Sequence, residues 1–217
     1  ETNEYLKKET QPFFAIIQTA DNHRPYTIPE EDQASFKKES FPLDTLHKYG
    51  YEDNDEFNAF RYTDFSIQHF IEAAKKENYF RNTIFVFVGD HGVRGSAGDM
   101  FPRAWTDNGL TTEHVPLLFY SPSLLQPEVR TDACSQLDIF SSVASLTGQS
   151  FHNYTLGRNL FEKAVTPSQG EAPQCAFIFD PDFRQIGIVD SNYYYYRPIA
   201  SGKETMVSIK NNDPVGN

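Results

Sequence analysis

Two metal-binding side chains follow a strongly apolar stretch of this sequence. Residues 83–88 consist of one threonine followed by five apolar residues, and all six are β-branched or aromatic. Such a run is typical of a strand that is buried on both faces. Asp90 and His91 follow after one glycine, and a carboxylate oxygen and an imidazole nitrogen are both donors for Zn²⁺ or Mn²⁺. Gly92 allows a sharp turn, so both side chains can face one point. The alternative is that Asp90 caps the loop while His91 makes an ordinary hydrogen bond.

A second apolar stretch, residues 12–19, also leads into polar side chains. Its composition predicts another buried strand. Two prolines hold the following loop extended, so we expect His23 at the carboxyl edge of that strand, beside the Asp-His pair. Arg24 is suited to pairing with a phosphate, and a solvated surface arginine is the alternative.

The remaining elements indicate an α/β fold. Residues 55–78 and 135–147 repeat apolar side chains every three or four positions, which predicts two amphipathic helices. We predict a mixed, mainly parallel central sheet flanked by helices over residues 1–165. A linker rich in Pro, Ser and Gly at residues 166–173 marks a boundary. Residues 166–217 are predicted to form a small antiparallel sheet from strand-like runs at hairpin spacing, at residues 175–179, 185–189, 193–196 and 206–209.

The composition limits the partners of the chain. Its 217 residues include 30 acidic and 19 basic side chains, and the net charge is -11. Nucleic acid and anionic membrane surfaces would repel such a chain, so neither is expected as a main partner. No apolar run approaches the length needed to span a bilayer. Cys134 and Cys175 suit either a disulfide in an exported domain or two buried free thiols, and the sequence leaves both options open.

The order of these motifs resembles a known superfamily. The apolar strand, the run Gly-Asp-His-Gly that ends at Gly92, a long loop and a second apolar strand that begins at His114 resemble the sulfatase branch of the alkaline phosphatase superfamily. Residues 22–26, Asn-His-Arg-Pro-Tyr, look most like the lipoteichoic acid synthase and phosphoglycerol transferase group. The resemblance runs from about Gln11 to Phe161 and covers the C-terminal half of that family's catalytic domain.

The resemblance implies a role for each candidate residue. Asp90 and His91 would ligate one divalent ion, Mn²⁺ or Zn²⁺ in the first place, with Mg²⁺ or Ca²⁺ as further options. His23 would contact the phosphate head group of the substrate, and Arg24 would assist it. His114 would face the substrate or a second metal, with a purely structural histidine as the alternative. The nucleophile of the family lies N-terminal of this region, so no catalytic nucleophile is expected in the segment.

The resemblance also implies an activity for the parent protein. We expect a metal-dependent phosphotransferase or phosphodiesterase, similar to enzymes that move phosphoglycerol from a lipid to a polymer, and an inactive isolated segment. The expected partners are an anionic phosphate or sulfate ester, with a lipid-linked ester as one option, and the N-terminal half of the catalytic domain. The expected location is extracytoplasmic, periplasmic or at the cell surface, anchored by N-terminal membrane helices. A sulfatase and a non-catalytic module of the same fold are the alternatives.

Overall fold

The chain divides into two compact units. The computed structural model describes residues 1–20, 22–162 and 175–211. The predicted boundary between residues 165 and 166, together with the linker at 166–173, lies outside these described residues and stays a prediction. The first unit comprises Glu1–Gly89, Gly95–Met100 and Pro116–Pro127, and the second comprises Asp90–Arg94, Phe101–Val115 and Glu128–Asn217.

A long helix dominates the first unit. It is α3 (Asn54–Ala74), which confirms the helix predicted from apolar periodicity. It begins after Asp53, whose side chain accepts the N–H of Glu56 at 2.9 Å and so satisfies one of the unpaired donors of the first turn. Tyr62 lies on its buried face and packs with Ile28 and Phe36. The shorter helices of this unit are α1 (Thr2–Leu6), α2 (Leu43–Lys48) and the 3-10 turns Glu30–Asp32 and Asn78–Asn82.

The strand before the Asp-His pair has an antiparallel neighbour. β1 (Phe85–Val88) pairs with β2 (Leu117–Tyr120), with Phe85 opposite Tyr120. The strands were predicted, but both sheets among the described residues are antiparallel, so the parallel central sheet is not observed there. The expectation that this strand is buried on both faces is wrong, because Val86 and Phe87 are only partly buried and Val88 is exposed.

The predicted strand at residues 12–19 is not present. The segment has no regular secondary structure, and the side chains of Phe14 and Ile16 are 81% and 83% exposed. A strand exists through hydrogen bonds to a neighbour, and no described segment offers this run a backbone partner. The apolar pattern therefore identifies a segment suited to burial, but not one that is buried here.

The second unit is built on a four-stranded antiparallel sheet. The strands follow one another as a meander in the order β3 (Ala176–Asp180), β4 (Gln185–Val189), β5 (Tyr193–Pro198) and β6 (Thr205–Ser208), which confirms the predicted C-terminal sheet. Ile178 and Tyr194 form its core with Leu110 and Ile209. The helices of this unit are α4 (Arg103–Asp107), α5 (Leu110–Glu113) and α6 (Asp138–Leu146).

The indole of Trp105 joins the α4–α5 segment to this core. It packs against the Leu110 cluster and donates its Nε1–H to the carbonyl of Ile209 at 3.0 Å. The two cysteines are free thiols, with Cys134 exposed and Cys175 half-buried, so the disulfide is not formed. None of the described helices combines the length and apolar character of a membrane span.

Candidate metal and anion site

Asp90 and His91 form an open turn at the start of the second unit. They lie just beyond β1 in the chain, and 79% and 64% of their side chains are exposed. The carboxylate of Asp90 accepts the backbone N–H of His91 at 2.9 Å through Oδ1. Its other oxygen, Oδ2, lies 4.0 Å from Nε2 of His91. The turn therefore presents one carboxylate oxygen and one imidazole nitrogen to the same region.

The hydrogen bonds of His91 favour the tautomer that a metal needs. Nδ1 lies 2.8 Å from the carbonyl oxygen of Gly92, and a protonated Nδ1 donates there. Nε2 is then left with its lone pair free to bind an ion. Two ligands at about 2.1 Å from a tetrahedral ion lie about 3.4 Å apart, so the 4.0 Å separation is within a small side-chain rotation of that distance. The pair thus supplies two donors of the type that a divalent metal ion binds.

Gly92 is required by close approach rather than by a left-handed backbone. A Cβ at this position would lie 2.0 Å from the carbonyl oxygen of Thr111, which no side chain tolerates. The N–H of Gly92 donates to the carbonyl of Thr112 at 2.6 Å. The absence of a side chain thus lets the turn lie directly against α5, and the turn is fixed there by a short hydrogen bond.

A second contact fixes the turn from the α6 side. Gln136 donates its side-chain N–H to the backbone carbonyl of Asp90 at 3.0 Å. The segment that carries Gln136 is itself held by Asp138, whose side chain is 3% exposed. Asp138 accepts hydrogen bonds from the backbone N–H of Ser135 at 2.8 Å and of Arg158 at 2.7 Å. The α6 segment, which contains a predicted helix, thus supports the turn from behind through these contacts.

His114 lies in the same unit but in an aromatic environment. Its ring makes edge contacts with Phe101 and Trp105, at centroid distances of 5.6 and 5.0 Å. Part of the side chain is exposed, but the remainder is removed from water. This partial burial lowers the pKa of the His114 imidazole and favours its neutral form. The role of His114 toward a substrate or second metal stays a prediction.

Glu113 and Thr112 are polar groups next to His114 that sequence patterns do not single out. Burial raises the pKa of the Glu113 carboxyl, and the charge of Asp180 raises it further, while Arg94 opposes the shift. The hydroxyl of Thr112 is buried and, within the part of the chain that the structure describes, has no hydrogen-bond partner. Both residues sit in α5, the helix against which Gly92 packs.

His23 and Arg24 belong to the first unit, on an exposed loop tied to α3. Nδ1 of His23 lies 2.8 Å from the carbonyl oxygen of Arg24, and the guanidinium of Arg24 pairs with Glu52 at 2.5 Å. Tyr26 anchors the loop by donating to the buried carboxylate of Glu56 at 3.0 Å. Tyr26 also has a φ of 61°, an uncommon conformation for a bulky residue that marks a tightly determined loop.

The structure therefore brings together part of the predicted site. Asp90 and His91 converge, and His114 belongs to the same unit, whereas His23 and Arg24 belong to the other unit. Within residues 1–20, 22–162 and 175–211, no three His, Cys, Asp or Glu side chains are grouped closely enough to hold a metal ion. The proximity of His23 to the Asp-His pair stays a prediction.

Sequence patterns missed the two long-range contacts of the turn that involve the side chains of Gln136 and Arg94. Gln136 lies 46 positions from Asp90, and Arg94 binds a carboxylate near the C-terminal end of the chain. Neither contact follows a helical or strand period, so periodicity cannot reveal it. The available signal for Arg94 was its place two residues after Gly92, which does not reveal its partner.

Comparison with known proteins identifies relatives of this chain. The sulfatase family model matches residues 1–149. A lipoteichoic acid synthase-like protein of Bacillus subtilis, YvgJ, is 28% identical over 172 residues, which is 75% of this chain and 27% of that protein. The lipoteichoic acid synthase of Staphylococcus saprophyticus is 33% identical over 91 residues, 42% of this chain and 13% of that protein. The chain thus spans about a quarter or less of these relatives.

A solved structure shares the fold. A Bacteroides thetaiotaomicron protein, solved in work on the metabolism of multiple glycosaminoglycans, superimposes with a TM-score of 0.67 at 22% identity. The match covers 96% of this chain and 50% of the other protein. At that identity, the likeness supports a common α/β architecture alone.

Proposed function

Since this chain belongs to the sulfatase family, we propose that the protein containing it is a metal-dependent phosphotransferase or phosphodiesterase of the phosphoglycerol transferase type. The observation that carries the proposal is the Asp90–His91 turn, which presents Oδ2 and Nε2 on an open surface, 4.0 Å apart. The similarity to lipoteichoic acid synthases supports the choice of phosphoryl transfer over other chemistry of the family.

The residues of this chain have separate tasks in the proposed reaction. Asp90 binds the divalent ion through its carboxylate, and His91 binds it through Nε2 while the Gly92 carbonyl holds the ring. When bound, the ion polarises phosphoryl oxygens and lowers the pKa of a nucleophile. His23 and Arg24 bind the anionic head group of the substrate, and the exposed loop that carries them suits that task. We assign the nucleophile to no residue of this chain.

The proposed substrate is an anionic ester, and a lipid-linked phosphoglycerol is the most specific form of it. A chain with a net charge of -11 repels such a substrate at long range, so the attraction must come from the ion and from nearby Arg and His side chains. We propose an extracytoplasmic location, since lipoteichoic acid is the product that the relatives' names specify.

Substitution of the metal ligands tests this function. In the full natural protein, Asp90→Ala and His91→Gln should each lower phosphodiesterase turnover at least about 100-fold and remove stoichiometric Mn²⁺ or Zn²⁺. Asp107→Ala is the matched control, because Asp107 is an exposed carboxylate of the same unit that pairs with Arg103 in the adjacent turn. Turnover that survives Asp90→Ala would refute the assignment.

A sulfatase is the second candidate, and the description of the matching family model favours it. The same Asp-His pair serves both reactions, so the substrate decides between them. Parallel assays with a phosphodiester and a sulfate ester, each with the Asp90→Ala variant as the blank, separate the two. A wild-type protein that hydrolyses neither ester and holds no stoichiometric metal would instead be a non-catalytic module.

A further inference from the structure

Arg94 links the Asp90–His91 turn to the C-terminal sheet. Its Nη2 lies 3.2 Å from Oδ2 of Asp182 and 3.8 Å from Oδ2 of Asp180. Its guanidinium carbon also lies 4.7 Å from the ring centroid of Phe183, within the range of a cation–π contact. These three partners form the turn between β3 and β4, which we call the β3–β4 turn. Arg94 is therefore held by charge and by stacking at once.

The β3–β4 turn is rigid enough to serve as an anchor. The side chain of Asp180 is only 4% exposed, and its Oδ1 accepts the backbone N–H groups of Asp182 at 2.9 Å and Phe183 at 3.0 Å. Its Oδ2 faces Arg94, whose positive charge offsets the cost of burying the carboxylate. The anchor and the arginine thus stabilise each other.

The Asp90–His91 turn and the residues directly after it are consequently fixed at three points. Gln136 holds the carbonyl of Asp90, the carbonyl of Thr112 holds the N–H of Gly92, and the β3–β4 turn holds Arg94. Arg94 is three residues after His91, so the chain between them spans at most about 11 Å. Loss of the contact between Arg94 and the β3–β4 turn frees the residues that follow His91 in the chain.

We propose that Arg94 is a positioning residue, which fixes the Asp90–His91 turn by its clamp to Asp180, Asp182 and Phe183 of the C-terminal sheet. The effect of this positioning on metal affinity rests on the function proposed above. Arg94 does not contact the ion or the substrate in this role. Support of this kind for ligands typically changes metal affinity 10- to 100-fold.

Two readouts in the full natural protein test the proposal: Mn²⁺ affinity and hydrogen exchange of the Gly92 amide. Arg94→Ala should weaken Mn²⁺ binding at least 10-fold and speed exchange at Gly92 at least 10-fold, with smaller changes elsewhere. Arg94→Lys should recover part of both, since it keeps the charge but loses the planar stack. Arg103→Ala is the matched control, because Arg103 is an arginine of the same unit that is 80% exposed and pairs with Asp107 within α4.

The outcomes separate this proposal from the proposed function. Mn²⁺ affinity and Gly92 exchange that match those of Arg103→Ala would overturn it, and so would a loss of thermal stability with both readouts unchanged. If the unmodified protein binds neither Mn²⁺ nor Zn²⁺, the proposed function fails, and hydrogen exchange alone decides on the clamp. Acceleration of exchange confined to residues 90–94 then supports the clamp, and its absence overturns it. If Arg94→Ala does not fold, Asp182→Asn removes the exposed half of the clamp and is judged by the same measurements.

Discussion

Asp138 provides the sharpest test of how the scaffold supports the site. Its two carboxylate oxygens accept three hydrogen bonds, from the backbone N–H of Ser135, the backbone N–H of Arg158 and the guanidinium of Arg158 at 3.1 Å. Replacement by asparagine preserves the volume but turns an NH₂ group toward one of these donors. The substitution therefore removes the charge, loses at least one hydrogen bond and places two donors against each other.

The structure sets the size of the expected effect. A hydrogen bond to a charged group contributes about 1.5–3 kcal/mol, and removal of one partner from a buried ion pair costs about 3–5 kcal/mol. Arg158 is 38% exposed, so solvent screens its part of the ion pair and the lower end applies. We expect Asp138→Asn to lower the free energy of unfolding by about 3 kcal/mol.

Trp105 gives a direct assay for this effect. It is the single tryptophan of the chain, and it packs in the core of the unit that contains Asp138, so its fluorescence follows the unfolding of that unit in urea. Asp107→Asn is the control, since Asp107 is 52% exposed and should change the free energy by less than about 0.5 kcal/mol. A change below about 1 kcal/mol for Asp138→Asn, or one equal to the control, would refute the reasoning.

Three further substitutions test other parts of the second unit. Gly92→Ala should destabilise the protein and weaken metal binding, because its Cβ would lie 2.0 Å from the Thr111 carbonyl oxygen; an unchanged thermal midpoint and Mn²⁺ affinity would contradict this. Thr112→Val should raise the free energy of unfolding by about 1 kcal/mol, since it removes a buried hydroxyl that has no hydrogen-bond partner among the described residues; a lower free energy of unfolding in urea titrations would mean that the hydroxyl has a partner. Burial raises the pKa of Tyr194 to about 12, above its ordinary value near 10. The neutral phenol therefore contributes fully to the stability of the fold below pH 10, and this contribution is lost as the pH rises through 12. Between pH 9 and 11.5 we expect the wild type to lose about 2 kcal/mol more than Tyr194→Phe; equal losses would show that Tyr194 is not the group responsible.

Elements with a clear internal period could be predicted from the sequence. The repeat of apolar residues at three and four positions located α3, and the alternation of runs and turns located the four strands of the C-terminal sheet. Tyr194 and Tyr196 illustrate why this works, because alternate residues of a strand share a face and these two rings stack at 5.1 Å. Such patterns depend on neighbours in the sequence alone.

The candidate site was only partly predictable for the opposite reason. The Asp-His pair could be identified from the sequence because its two residues are adjacent. The residue after it could be identified because it is a glycine. The clamp on Arg94 depends on a carboxylate 86 positions away, and the hydrogen bond of Gln136 depends on the path of the α6 segment. Long-range pairs of this kind follow from the completed fold, and a single sequence contains no local trace of them.

Residues 12–19 show the same limit for a whole element. Their composition has the apolar and β-branched character of a buried strand, yet Phe14 and Ile16 are mostly exposed. An apolar composition indicates that burial stabilises a segment, by roughly 25 cal/mol for each Å² of apolar surface that is removed from water. It does not supply the element that covers the segment. Residues 12–19 therefore have the composition of a strand, but among the described residues their backbone has no partner that would make them one.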